Sequence, residues 1–154
     1  MDENKKLVNW ESIFAYISKL FEKTGMPSKD AEWTAKTLVD ASLWGVDSHG
    51  ILRVPKYIER INANAINSKP NINFVKSDAA VEIIDGDAGC GAVVGKVAMQ
   101  KAIDKAAKYS VGMVGAINSN HFGAAACFSR IASDQGMIGI TMSNVVPNMV
   151  AQGA

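Results

Sequence analysis

Trp10, Ile13, Phe14, Ile17, Leu20 and Phe21 recur at the i, i+3, i+4, i+7 spacing that marks one apolar face of an α-helix. The pattern predicts a helix over 10–25, capped by Asn9 and ended by Gly25. A second stripe, Ala31, Ala35, Leu38 and Val39, predicts a helix opened by Pro27-Ser28, with Ser28 as N-cap, and finishing near Gly45. A third, shorter pattern covers Val54 to Ile61. Pro55 removes a backbone donor, so it suits the start of that helix and leaves 48–53 as the preceding turn.

After Ser68-Lys69-Pro70 the period changes. Two short strand-like runs, 71–76 and 80–85, flank Ser77-Asp78, which reads as a hairpin turn. The glycine-rich turn from Gly86 to Gly91 feeds a helix with Val94, Val97, Ala98, Ala102 and Ala106 on one face. A buried strand over 111–117, a helix over 123–134 and a strand over 137–143 complete the pattern. Alternating strands and helices predict an α/β layer. With about four strands, its sheet exposes an edge. The expected organisation is a helical segment over 1–68 and the first part of an α/β domain over 69–154. Because the last strand runs into Val145-Val146-Pro147 and Gly153-Ala154 without a closing helix, the sequence reads as the front part of a larger fold.

Composition narrows the function classes. The chain has 154 residues, 48% of them apolar and 20% charged, with a net charge of +1; it is that of a globular protein with a real core. There is no basic field for nucleic acid or an anionic membrane. Lys96 to Lys108 fall on a single helix pattern and read as its solvated face. The charged start, Met1 to Lys6, leads into an amphipathic segment and does not read as an apolar signal core, and no run approaches the length of a membrane span. Cys90 and Cys127 form no metal-ligand pattern and read as buried thiols of a cytoplasmic protein.

Three groups of residues can carry chemistry. Asp47-Ser48-His49-Gly50 precedes Arg53 and Tyr57, which together offer a proton donor, a carboxylate clamp and a phenol. Spacing alone leaves open a capping serine beside a surface histidine. Asn118-Ser119-Asn120-His121-Phe122-Gly123 falls where a strand meets a helix, the edge at which ligands collect in α/β sheets. A polar loop with an incidental histidine is its plainer reading. Gly89-x-Gly91-x-x-x-Gly95 has the outline of a dinucleotide fingerprint. The next strand, however, ends in Asn118-Ser119 rather than the acidic residue that would hold a ribose. A glycine-rich helix start without nucleotide contact explains it better. Asp85 and Asp87 read as turn residues.

Taken in order, residues 47–57, Asp85-Gly86 with Gly89-Cys90-Gly91, and residues 118–123 resemble the NAD(P)-dependent malate/L-lactate dehydrogenase family. That family also contains ureidoglycolate, sulfolactate and diketogulonate oxidoreductases. The resemblance covers nearly the whole chain. It implies helices packed beside a mixed sheet, a non-Rossmann NAD(P)-binding fold and a homodimer. It further implies hydride transfer between NAD or NADP and a small 2-hydroxy or 2-oxo acid such as malate or lactate. On this chain His49 and His121 are then the acid/base candidates, and Arg53 holds the substrate carboxylate. Ser48 and Tyr57 support the substrate or orient His49, and Asn120, Gly123 and Asn144 contact the cofactor; no metal is implied. Family members are considerably longer than this chain, and Ala92 stands where they often carry glutamine. The contrasting expectation is a non-catalytic remnant or interaction module.

Overall fold

A computed structural model describes residues 7–144; Met1 to Lys6 and residues 145–154, including the Val145-Val146-Pro147 and Gly153-Ala154 segments, lie outside it. Helices α1 (Trp10–Lys23) and α2 (Ser28–Leu43) pack against each other and are followed by two 3-10 turns, Asp47–His49 and Ile51–Arg53. Helix α3 (Val54–Asn62) then leads to β1 (Asn73–Asp78), β2 (Val81–Gly89), α4 (Gly91–Tyr109), β3 (Met113–Ser119) and α5 (Ala126–Ser133).

The local signals act largely as expected. Asn9 Oδ1 accepts from the Ser12 amide at 2.9 Å and caps α1. Pro55 sits in the first turn of α3. Ser28 does not cap α2. The N-cap is Pro27, whose extended ψ of 142° places Ser28 inside the first turn with no side-chain cap bond. The Pro27 carbonyl accepts the Asp30 and Ala31 amides directly.

The sheet is mixed, in the order β1-β2-β3, antiparallel between β1 and β2 and parallel between β2 and β3. The hairpin turns at Ala79-Ala80, because Asp78 pairs with Val81, and Ser77-Asp78 belongs to β1. Helix α4 makes the crossover that a parallel pair requires. The strand expected over 137–143 is absent, leaving three strands among the described residues. The apolar alternation is real, since Ile138, Ile140 and Met142 are exposed while Gly139 lies against Ser129 and Ala132 of α5. Alternation without a hydrogen-bonded neighbour does not make a strand. Helix α5 also starts at Ala126 rather than Gly123, because Gly123 has a φ of +83° and cannot continue a helix.

The main core gathers Phe21 of α1, Ala35 and Leu38 of α2, Val54, Tyr57 and Ile61 of α3, and Cys90, Ala92 and Val93 at the start of α4. Each large apolar side chain buried there contributes roughly 1.5–3 kcal/mol. Trp33 Nε1 donates to the Ala92 carbonyl at 2.9 Å and ties α2 to the first turn of α4. Both cysteines are buried and free. The face expected on α4 is only half-buried at Val97, Ala98, Ala102 and Ala106, with Ile103 the buried residue of its later turns.

On the other side of α4, Lys101 and Lys105 pair with Glu82 of β2 at 2.7 and 3.2 Å. The hydrogen bond from Lys101 holds the Glu82 carboxyl below the usual carboxylate range. A depressed folded pKa means stability that is present above the unfolded value and lost as pH falls through the folded one. Glu82→Gln is therefore expected to flatten the acid limb of a stability–pH curve, measured by urea unfolding. An unchanged limb would assign the acid sensitivity to other carboxylates.

Candidate active site at the carboxyl edge of the sheet

β2 and β3 run in parallel, so their carboxyl ends meet at one edge. The β2 end is bulged. The register shifts between Asp85 and Gly89, and Asp87 and Ala88 have φ of +50° and +52°. Bulges of this kind re-aim groups beside functional sites. Asp87 Oδ2 stabilises the bend by accepting from Asn67 Nδ2 and the Asn71 amide, both at 2.9 Å. Asp85 Oδ1 accepts from the Asp87 amide and from Asn118 Nδ2. The two aspartates therefore act on the backbone.

The bulge turns the Ala88 and Gly89 carbonyls toward the loop after β3, where Asn120 Nδ2 donates to them at 2.7 and 3.3 Å. Asn120 Oδ1 accepts from Arg60 Nη2 of α3 at 2.8 Å. The Asn120 side chain is thus bonded at both ends within the protein. The glycine-rich start of α4 serves the same loop. A Cβ on Gly91 would collide with the Asn120 carbonyl oxygen and come within 2.6 Å of the His121 carbonyl carbon; one on Gly95 would come within 2.7 Å of the Phe128 ring. These two glycines are therefore explained by close packing of this chain's own backbone and of Phe128.

The loop delivers His121 to residues from the turns and α3. His49 and His121 stack with centroids 5.4 Å apart and planes at 28°. Tyr57, buried at 3% exposure, places its Oη 2.7 Å from His121 Nδ1 and 3.3 Å from the His121 carbonyl oxygen. Ser48 Oγ lies 2.9 Å from His49 Nδ1, and Arg53 Nε donates to the Ser48 carbonyl at 2.6 Å. The turn is fixed from below by Ser42 Oγ, which accepts from the Ile51 amide at 3.0 Å. No carboxylate pairs with Arg53 among the described residues.

Electrostatics follow from this crowding of cations. Partial burial of its ring, then the charges of Arg53, His49 and Arg60, lower the His121 pKa. Burial pushes the Tyr57 phenol far up, so it keeps its proton. An anion entering beside Arg53 would relieve the repulsion and favour imidazolium. The arrangement can hold a carboxylate beside a group that exchanges a proton.

The structure brings together His49, His121, Ser48, Arg53 and Tyr57, which come from two segments of the sequence. Tyr57 faces His121 rather than His49. Gly123 has no atom within 4 Å of the place a Cβ would take. Asn144 is exposed, and no described contact joins it to the histidines. Sequence reasoning missed Arg60 and Ser42. Arg60 lies at i+3 from Tyr57 on α3, a spacing that does signal a shared face; Ser42 carries no such signal.

Fold and site define an α/β protein with paired imidazoles and an unpaired guanidinium at the carboxyl edge of a mixed sheet. The family model for malate/L-lactate dehydrogenase matches residues 8–154, and the chain belongs to that family. It is 48% identical over 137 residues to the L-sulfolactate dehydrogenase of Methanocaldococcus jannaschii, covering 89% of this chain and 40% of that protein. It is 37% identical over 153 residues to a malate dehydrogenase of Pyrococcus abyssi, covering 99% of this chain and 42% of that protein. The solved malate dehydrogenase of Pyrococcus horikoshii OT3 superposes with a TM-score of 0.86 at 38% identity, over 88% of this chain and 39% of the other. The chain therefore spans about two-fifths of the length of these relatives. Among the described residues no helix is long and apolar enough to cross a membrane.

Proposed function

We propose that this chain supplies the proton-exchanging and carboxylate-holding half of a site that transfers hydride between NAD or NADP and a small 2-hydroxy or 2-oxo acid. The observation that carries this reading is the unpaired Arg53 guanidinium beside a stacked histidine pair, one member of which is anchored by a buried tyrosine. Reduction of a 2-oxo acid adds hydride to C2 and requires a proton at the developing alkoxide. Arg53 orients the acid by pairing with its carboxylate. His121, as imidazolium, gives the C2 oxygen its proton: an N–H bond breaks, an O–H bond forms, and the electron pair stays on nitrogen. His49 shields the pair and is the second candidate for this transfer. The nicotinamide, when bound, supplies or takes up the hydride.

A contrasting reading, a non-catalytic interaction module, is favoured by the exposure of Met113, Ile117, Ile138, Ile140 and Met142 and by the share of its relatives that the chain spans. The test is fluorescence titration with NADH and NADPH, followed by turnover with a panel of 2-oxo acids. Cofactor binding with oxidation by at least one acid supports the enzyme reading. Neither binding nor oxidation by the purified 154-residue chain would remove the claim that it acts alone and favour the module.

A further inference from the structure

Tyr57 has one hydroxyl proton and two acceptors within reach, both belonging to His121: Nδ1 at 2.7 Å and the main-chain carbonyl oxygen at 3.3 Å. Two neutral forms of the imidazole compete for this hydroxyl. With the proton on Nε2, Tyr57 can only donate to Nδ1, which makes one hydrogen bond. With the proton on Nδ1, Tyr57 accepts from Nδ1 and donates to the carbonyl, which makes two. The imidazolium form also uses both. Free imidazole side chains in water favour the Nε2–H tautomer, so the phenol works against the intrinsic preference.

We propose that Tyr57 is a positioning residue that selects the Nδ1–H tautomer of His121, making Nε2 the one nitrogen that exchanges a proton with the ligand. This rests on the assignment of His121 as the proton-exchanging group, and it extends that assignment to a particular atom. During transfer the proton leaves Nε2, its electron pair remains there, and the Nδ1–H···Oη and Oη–H···O=C bonds persist unchanged. The hydrogen bonds of the protonated and deprotonated histidine are then the same on the Tyr57 side, and no hydroxyl rotation accompanies the chemistry. The groups that face this unit are His49 and Arg53 from the turns, Arg60 from α3 and the buried Cys90 thiol at the head of α4. None is a carboxylate that could compete for Nδ1. Tyr57 packs edge-on to the His121 ring, at 5.9 Å and 67°, and against Phe21 at 6.5 Å, so its own position is set by the core.

The chain has only two histidines, which makes a direct test practical. Long-range proton–nitrogen correlation spectra of the ¹⁵N-labelled 154-residue chain, recorded above the His121 titration, report the tautomer from the separate Nδ1 and Nε2 shifts. His49→Asn assigns the signals. The expected result is a protonated-type shift at Nδ1 and an unprotonated-type shift at Nε2 of His121. In Tyr57→Phe the ratio should move toward Nε2–H by roughly two- to tenfold, the effect of one net hydrogen bond. His49 shifts and the amide spectrum away from the site should be preserved. Neutral His121 found as Nε2–H in the unsubstituted chain would overturn the proposal, whether or not the variant folds. An identical ratio in a folded Tyr57→Phe would overturn it as well. Absence of turnover with the Nδ1–H tautomer intact would instead count against the enzyme reading.

Discussion

Replacing His121 by alanine is expected to lower turnover by roughly 10²–10⁴-fold, the usual effect of losing a positioned general acid or base. The corresponding loss from His49→Ala is expected to be smaller. The two rings stack, but they are held differently. His121 is fixed by a buried phenol from α3 and by a loop tied down through Asn120 and Arg60, whereas the Nδ1 of His49 has only the exposed Ser48 hydroxyl. A group delivering a proton to a point gains from being held still. The comparison is made at saturating 2-oxo acid, with thermal unfolding as the control for folding. Equal losses would make the histidines a single coupled unit, and a larger loss at His49 would exchange their roles.

The same assignment fixes a pH dependence. Reduction needs imidazolium, and neighbouring cations with partial burial lower the His121 pKa. The kcat/KM of reduction, which reports the free enzyme, should therefore fall as pH rises through a value below that of an ordinary histidine. Bound substrate brings its carboxylate to Arg53 and favours the protonated ring. The corresponding limb of kcat should lie at higher pH, and coincident limbs would argue against a carboxylate at Arg53.

Gly91→Ala is expected to be strongly damaging, and at the candidate site itself. The added carbon would clash with the Asn120 carbonyl oxygen and crowd the His121 main chain. These are backbone atoms, held in turn by the bonds from Asn120 to Ala88 and Gly89, so no rotamer change relieves the clash. Overpacking of this kind costs about 1–3 kcal/mol. Here it should also move the His121 signals, because the displaced loop carries the ring. Urea unfolding gives the first quantity and the histidine spectrum the second. Gly115→Ala is the control, since its Cβ would meet only Ile83 Cγ1 at an ordinary 3.9 Å. A stable Gly91→Ala with an unshifted His121 would show that the contact is not needed to seat the loop.

Much of the helical part was legible because its signals are local. The stripe from Trp10 to Phe21, the Asn9 cap and Pro55 at a helix start each act within a turn or two. The polar residues of the site were legible as types: an Arg and two His in turn-like settings and a Tyr on a short helix. Their partnerships were not. Tyr57 and His121 are 64 residues apart in sequence and meet across α3 and the β3 loop, and no periodicity encodes such a contact. The glycines of α4 were legible as a helix start, but not as the floor beneath His121. The segment over 137–143 carries a strand-like alternation that its described surroundings do not use, because pairing is a property of the neighbour as well as of the strand. The β2 bulge was hidden for a related reason: two successive non-glycine residues, Asp87 and Ala88, adopt left-handed conformations, which is uncommon and for alanine carries no sequence signal.

The stacking of His49 on His121 also has a consequence in time. Their segments are joined in the chain by α3, the β1-β2 hairpin, α4 and the parallel strand β3. Local helices form early and long-range parallel pairing forms late. Until β3 docks on β2, His121 lacks these neighbours; afterwards it sits among Arg53, His49 and Arg60. The histidine pair is thus a built-in reporter of β3 docking, read without any added probe by following the protonation of one side chain during refolding.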